Sequence, residues 1–242
     1  MHQEHRKIQV DPTLEVSSVW AIPDDYQAKD GTGIILAHGA GNDMSHPFIS
    51  HFHLAFAEAG LLSVKFNFPY MEAGRKAPDR MPLLEATWRA MIRAVSKDAA
   101  LSPNSLYLAG KSMGGRVASH MVAEGEPCQG LVFLGYPLHP PKRNESLRVG
   151  HWAGLGCPVL FIQGTRDFLC DLDLLKSHIP AIPAPVTLHV IEGSDHSFKT
   201  PKSGGKSQQD VWQEIGLAIT QWIGSKDQAS LDRPATGSDV NS

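Results

Sequence analysis

Residues 105–118 read SLYLAGKSMGGRVA, an apolar strand that runs into a Gly-Lys-Ser-Met-Gly turn and leaves it as a helix start. Few folds accommodate that combination. Gly110 and Gly114 flank Ser112 in the G-x-S-x-G spacing, which places a serine on a strained turn where strand meets helix and the backbone must approach itself without a Cβ. The turn lifts the hydroxyl above the strand ends. The helix that follows aims free N–H groups, that of Met113 among them, at any oxygen beside it. Gly110-Lys111-Ser112 also imitates the end of a phosphate-binding loop, but that motif needs a glycine where Ser105 stands. Residues 106–109 run straight into Gly110 and leave no loop to wrap phosphates.

The remaining pattern alternates strands with helices. An early strand is expected at 14–22, then short apolar strands at 33–37, 61–68, 131–134, 158–163 and 186–191, each bounded by turn residues. Helices are expected at 47–59, stopped by Gly60, and at 83–99, 172–178 and 208–223. Residues 69–82 read as a loop, residues 1–12 as a frayed polar end, and 225–242 as a disordered tail. The expectation is an α/β fold of one domain over 15–223, a mostly parallel sheet with helices on both faces. Right-handed crossovers then gather the loops after the strands at one edge, where ligand chemistry belongs.

Composition narrows the function classes. The chain has 242 residues, enough to bury about 70–75% of its unfolded surface without disulfides or metal. Its net charge of −3 argues against a dedicated nucleic-acid binder. Cys128, Cys157 and Cys170 are odd in number and suit reduced thiols in a cytoplasmic protein. No run approaches the ~18 apolar residues of a membrane helix, and the N-terminus lacks the apolar core of a signal peptide.

A serine hydroxyl is a poor nucleophile until a base takes its proton, so the elbow calls for a histidine at another strand end and a carboxylate to orient it. Asp167, in Gly-Thr-Arg-Asp, follows the strand at 158–163. His196, in Asp-His-Ser-Phe, follows the last strand. Ser112, Asp167 and His196 thus occur in the order nucleophile, acid, base. Asp195 is a rival acid, and Asp171 and Asp173 are weaker ones. An oxyanion site needs two backbone donors. Met113 supplies one, and the loop from His38 to Gly41 supplies the other, through Ala40 or alternatively Gly41.

The set His38-Gly39-Ala40-Gly41, Gly110 to Arg116, Gly164 to Asp167 and Asp195 to Phe198 resembles the α/β-hydrolase superfamily. More narrowly, the Gly-Lys-Ser-Met-Gly-Gly-Arg elbow and Asn67-Phe68-Pro69-Tyr70 resemble a small uncapped branch. That branch includes bacterial dienelactone-hydrolase-like proteins and the hydrolase-like domain of a subunit of the nuclear NSL histone-acetyltransferase complex. The resemblance spans about residues 15–223. It implies Ser112 as nucleophile, His196 as base and Asp167 as its partner, with water completing the reaction and no cofactor. True dienelactone hydrolases carry cysteine where this chain has Ser112. Residues 135–157, where larger relatives insert a cap, are too few for a separate domain.

The expected activity is therefore cleavage of a small-molecule ester or related acyl bond through an acyl-serine intermediate. The alternative is a non-catalytic scaffold that binds a protein partner, and a peptidase, a third reading, ranks below an esterase. Asn67, Tyr70, Arg75 and Lys76 are the substrate-binding candidates. Arg75, Lys76 and Arg80 after one strand, and Lys199, Lys202 and Lys206 after the last, could face an anionic substrate, although solvated loop charge is the simpler reading. Near His46, His51 and His53 only Asp43 has metal-ligand spacing, and His51 and His53 point to different helix faces, so no metal is expected.

Overall fold

In the computed structural model, which describes residues 1–201 and 206–231, the chain opens with an antiparallel ribbon, β1 (His2–Asp11) and β2 (Leu14–Ile22). Ordered pairing over residues 2–11 corrects the expectation of a frayed end. The strand's polar character reflects its place at the sheet edge, where one face is solvated and backbone pairing needs no apolar side chain. Arg6 lies 4.1 Å over the Trp20 ring and donates to Asp98 at 2.7 Å, tying β1 to the body.

Six more strands complete one sheet. They are β3 (Thr32–Ala37), β4 (Leu62–Phe66), β5 (Ser105–Lys111), β6 (Gly130–Leu134), β7 (Val159–Gly164) and β8 (Val186–Ile191). The spatial order is β1-β2-β4-β3-β5-β6-β7-β8, with β3 to β8 parallel and β2 antiparallel to β4. The short apolar runs of β3 to β7 are buried on both faces, as strands beneath two helical layers must be, whereas β8 at the sheet edge is only partly covered.

One layer holds α1 (Pro47–Glu58) and α6 (Gln208–Leu231), which pack Phe48, Phe52 and Phe56 and Val211, Ile215 and Ile219 against Ile34, Ala109 and Val132. The other holds α2 (Pro69–Glu72), α3 (Met81–Ser96), α4 (Met113–Ala123) and α5 (Leu172–His178). There Trp88, Val117 and Met121 meet Ile35, Leu108 and Phe133. Two details differ from expectation. The loop at 69–82 contains α2, entered through Pro69. The last helix continues to Leu231, because Asp227 anchors it to the sheet by accepting from Thr32 Oγ1 at 2.6 Å and Tyr107 Oη at 2.8 Å. Of the expected disordered tail, 232–242 lie outside the described residues.

Between β6 and β7 the chain forms only a 3-10 turn, Trp152–Gly154, so no cap covers the carboxyl edge. That edge is set by how closely α4 sits on β5. A Cβ on Gly110 would lie 2.1 Å from the Gly115 nitrogen, and one on Gly114 would lie 2.7 Å from the His38 carbonyl oxygen. Both obstacles are backbone and cannot swing aside. Gly110→Ala should therefore destabilise the fold by at least the ~3 kcal/mol upper range of ordinary overpacking, read as a drop in the urea unfolding midpoint.

Candidate active site

Ser112 sits between β5 and α4 with φ 50° and ψ −112°. For a residue with a Cβ this is a sparsely populated conformation, costing about 1–3 kcal/mol. Its N–H donates to the Leu134 carbonyl at 3.1 Å and its own carbonyl accepts the first bond of α4, from Arg116, at 3.1 Å. Neighbouring structure on both sides thus holds the turn.

The acid and base arrive on loops after β7 and β8 that are laced together. Gly164 packs so tightly that a Cβ would lie 2.3 Å from the Ser194 carbonyl oxygen. Arg166 donates its N–H to that same oxygen at 2.9 Å, and Gly193 donates to Thr165 Oγ1 at 2.8 Å. Asp167 is buried, and its carboxylate has three donors: Leu169 N at 2.8 Å on Oδ1, with Gln163 Nε2 at 2.6 Å and His196 Nδ1 at 2.7 Å on Oδ2. A carboxylate only accepts, so Nδ1 carries the proton and Nε2 is left to accept. Nε2 lies 2.8 Å from Ser112 Oγ. The structure therefore brings Ser112, Asp167 and His196 into one hydrogen-bonded chain.

The rival acids are engaged elsewhere. Asp195 Oδ1 accepts from the N–H groups of Ser197 and Lys199, closing its own turn. Asp171 caps α5, accepting from Asp173 and Leu174, and Asp173 is exposed.

The loop after β3 is fixed from beneath. Phe68 N–H donates to His38 Nε2 at 3.1 Å, so the His38 proton resides on Nδ1, 2.9 Å from the Gly39 carbonyl oxygen. Burial holds His38 neutral, its pKa pushed down to about 4. Tyr70 Oη donates to the same carbonyl at 3.3 Å. In a trans peptide the N–H points opposite to the carbonyl, so clamping the Gly39 oxygen also aims the Ala40 N–H. Ala40 and Met113 line the cleft beside Ser112. The Gly41 amide instead interacts with the Tyr70 oxygen.

The cleft over Ser112 encloses about 480 Å³ between Ala40, Met81, Arg116, Pro137, Arg148 and Phe168. The four substrate-binding candidates lie elsewhere. Asn67 is structural, accepting from Met44 N–H and donating to Glu72. Tyr70 is fully buried under the Gly39 carbonyl, and burial raises its hydroxyl pKa to about 12. Arg75 pairs with Asp79, and Lys76 is exposed. Among the other basic loop residues Arg80 is exposed, Lys206 pairs with Glu214 at 2.7 Å, and Lys202 lies outside the described residues. The three histidines near α1 diverge: His46 caps the helix, His51 packs on Trp212 and His53 contacts Ser63.

Three supporting residues escaped sequence reasoning. Gln163 orients Asp167 and accepts the Tyr136 N–H at 2.9 Å. Exposed Phe168 stands edge-on to His196, ring centroids 6.0 Å apart. Lys111 was visible inside the elbow motif without a role. Its buried amine donates to the His196 carbonyl at 2.7 Å, and burial lowers its pKa to about 8.

The chain belongs to the alpha/beta hydrolase domain family, whose model matches residues 30–224. It is thus a member of the α/β-hydrolase superfamily, on its small uncapped side, and the family supports a hydrolytic function. Solved structures of similar fold include a dienelactone hydrolase from Anabaena variabilis, 16% identical, covering 93% of this chain and 97% of that one with a TM-score of 0.72. An alpha-beta serine hydrolase homologue from Coxiella burnetii is 20% identical over 92% of this chain and 98% of its own, TM-score 0.71. A serine hydrolase without a lid from Xanthomonas campestris is 20% identical over 92% and 95%, TM-score 0.69. Among the described residues no helix is long and apolar enough to cross a membrane.

Burial lowers the His196 pKa first. The Asp167 hydrogen bond opposes that shift, and the Lys111 charge adds to it. The imidazole should titrate below its ordinary 6.5 in a ring-selective NMR titration. Lys111→Met removes a neighbouring positive charge, so that titration should move upward.

Proposed function

We propose that this protein is a serine hydrolase that cleaves an ester or related acyl bond through an acyl-Ser112 intermediate. The observation that carries the reading is the chain Asp167 Oδ2, His196 Nδ1, His196 Nε2, Ser112 Oγ, with contacts of 2.7 and 2.8 Å at its two joints. Nothing in the packing of the sheet requires a strained serine, a buried carboxylate and a histidine to meet in this way.

Ser112 Oγ attacks the acyl carbon as His196 Nε2 takes its proton. The imidazolium that forms is stabilised by Asp167, which also keeps the proton of the resting ring on Nδ1. Charge accumulates on the former carbonyl oxygen, and the N–H groups of Ala40 and Met113 are the donors we assign to it. The clamp on the Gly39 carbonyl favours Ala40 over Gly41 in that role. Such donors act on charge that develops only in the transition state. His196 then returns the proton to the leaving alcohol. Water, activated by the same ring, attacks the acyl-enzyme and restores Ser112.

A fluorophosphonate should add one adduct to the intact mass of the wild type and none to folded Ser112→Ala or His196→Ala; an unlabelled wild type with an open cleft sinks the assignment. Asp167→Asn should retain the fold yet lose roughly 10⁴ in kcat toward an activated ester, because the histidine is released to the wrong tautomer. A loss of less than tenfold would remove Asp167 from the mechanism.

A further inference from the structure

The cleft over Ser112 is lined by two arginines that the chemistry above does not use. Arg116 lies one turn into α4, and its register to Ser112 is fixed by its own N–H bond to the Ser112 carbonyl at 3.1 Å. Arg148 comes from the β6–β7 connection. Its N–H donates to the Leu138 carbonyl at 2.8 Å, its carbonyl accepts from Tyr136 Oη at 2.8 Å, and Nη1 donates to the Pro137 carbonyl at 3.2 Å. Both side chains line the same cleft as Ser112.

Their surroundings are short of negative charge. Among the described residues, neither guanidinium forms an ion pair with a carboxylate of the chain. The one acid lining the cleft, Asp79, is already satisfied by Arg75 and by the Tyr70 N–H at 2.8 Å. The arginines also oppose each other: burial lowers the Arg148 pKa, and the charge of Arg116 lowers it further. Beside them His120 and His151 stack with centroids 3.8 Å apart, and Ser119 Oγ contacts His151 Nε2 at 2.7 Å. Burial, His120 and Arg116 push His151 down to about 4. Two like charges are thus held half-buried at one cleft, with their histidine neighbour kept neutral and no carboxylate among the described residues to compensate them. A guanidinium pair suits the planar, bidentate geometry of a carboxylate.

We infer that Arg116 and Arg148 form a carboxylate subsite, and that the preferred substrates are hemiesters of short dicarboxylic acids whose free carboxylate binds there while the ester lies over Ser112. Pro137, Pro141, Met81 and Phe168 supply apolar walls for the methylene chain between the two groups. The inference rests on the serine-hydrolase reading for its chemistry, but not for its binding step. It also places the anion site apart from the basic residues Arg75, Lys76, Arg80 and Lys199, for which solvated loop charge is the simpler reading.

Two measurements separate the inference from that reading. The first is kcat/KM at low ionic strength for p-nitrophenyl hemiesters of succinate, glutarate and adipate. Each is compared with the neutral ester in which an isopropyl group replaces the carboxylate. At least one hemiester should be favoured by about tenfold or more, the gain typical of hydrogen bonds to a charged group, and added salt should reduce the preference. Arg116→Gln and Arg148→Gln should each bring the ratio toward unity, and Arg116→Lys should recover part of it. A ratio at or below one for all three lengths, or one that neither glutamine variant changes, overturns the subsite and leaves the hydrolase standing. The second is calorimetric binding of the corresponding monomethyl and dimethyl esters to Ser112→Ala. Tighter binding of a monoanion, lost when Arg116→Gln is added, supports the subsite even where no ester is turned over, and the hydrolase reading then fails alone. Equal affinity for anion and diester overturns the subsite independently of turnover.

Discussion

The contact between the end of β5 and the first turn of α4 governs the rest of this molecule. With Gly110 against Gly115 and Gly114 against the His38 carbonyl, strand and helix meet closer than any side chain permits. The chain can make that turn only by forcing Ser112 to a positive φ. Local strain of this kind persists only where surrounding structure determines it. Here the Leu134 carbonyl, the first helical bond of α4 and the Trp88 indole, which donates to the Gly114 carbonyl at 3.2 Å, supply that determination. Neither strand nor helix could shift without the other, so the hydroxyl holds a constant height above the sheet.

Around that fixed point the structure builds rigidity from backbone carbonyls. His38 and Tyr70 clamp the Gly39 carbonyl, Lys111 reaches back to that of His196, and the Ser194 carbonyl receives Arg166. Each bond fixes a peptide plane rather than a side chain, and so aims whatever precedes or follows it. This explains why a lysine can be buried beside a histidine whose protonation it discourages. The amine's hydrogen bond positions the loop, and its charge adds to the burial that lowers the His196 pKa. Arg148 likewise reaches the Pro137 carbonyl at 3.2 Å, but neither it nor Arg116 has a carboxylate partner among the described residues.

Much of the fold was legible because its signals are local. Short apolar runs bounded by turn residues marked β3 to β8, and helical spacing marked α1, α3 and α6. The elbow announced itself through two glycines and a serine. What escaped was what depends on remote partners. β1 is polar because only one face is covered, and nothing in its own letters says that Arg6 meets Asp98 and Trp20. The extension of α6 rests on Asp227 meeting Thr32 and Tyr107, nearly the whole chain away. Asn67 and Tyr70, expected to bind substrate, instead support loops from beneath and do not line the cleft.

The sequence by itself determined the alternation of strand and helix, the parallel sheet, and the identity and chain order of Ser112, Asp167 and His196, since periodicity, glycine spacing and residue chemistry are written locally. Tertiary structure alone decided how the Gly39 peptide is clamped from beneath, how Gln163 holds the Asp167 carboxylate, and which of many basic residues share the cleft with the serine. Those outcomes turn on hydrogen-bond directions and on whether a charge already has a partner, quantities that exist only once distant segments are packed against one another.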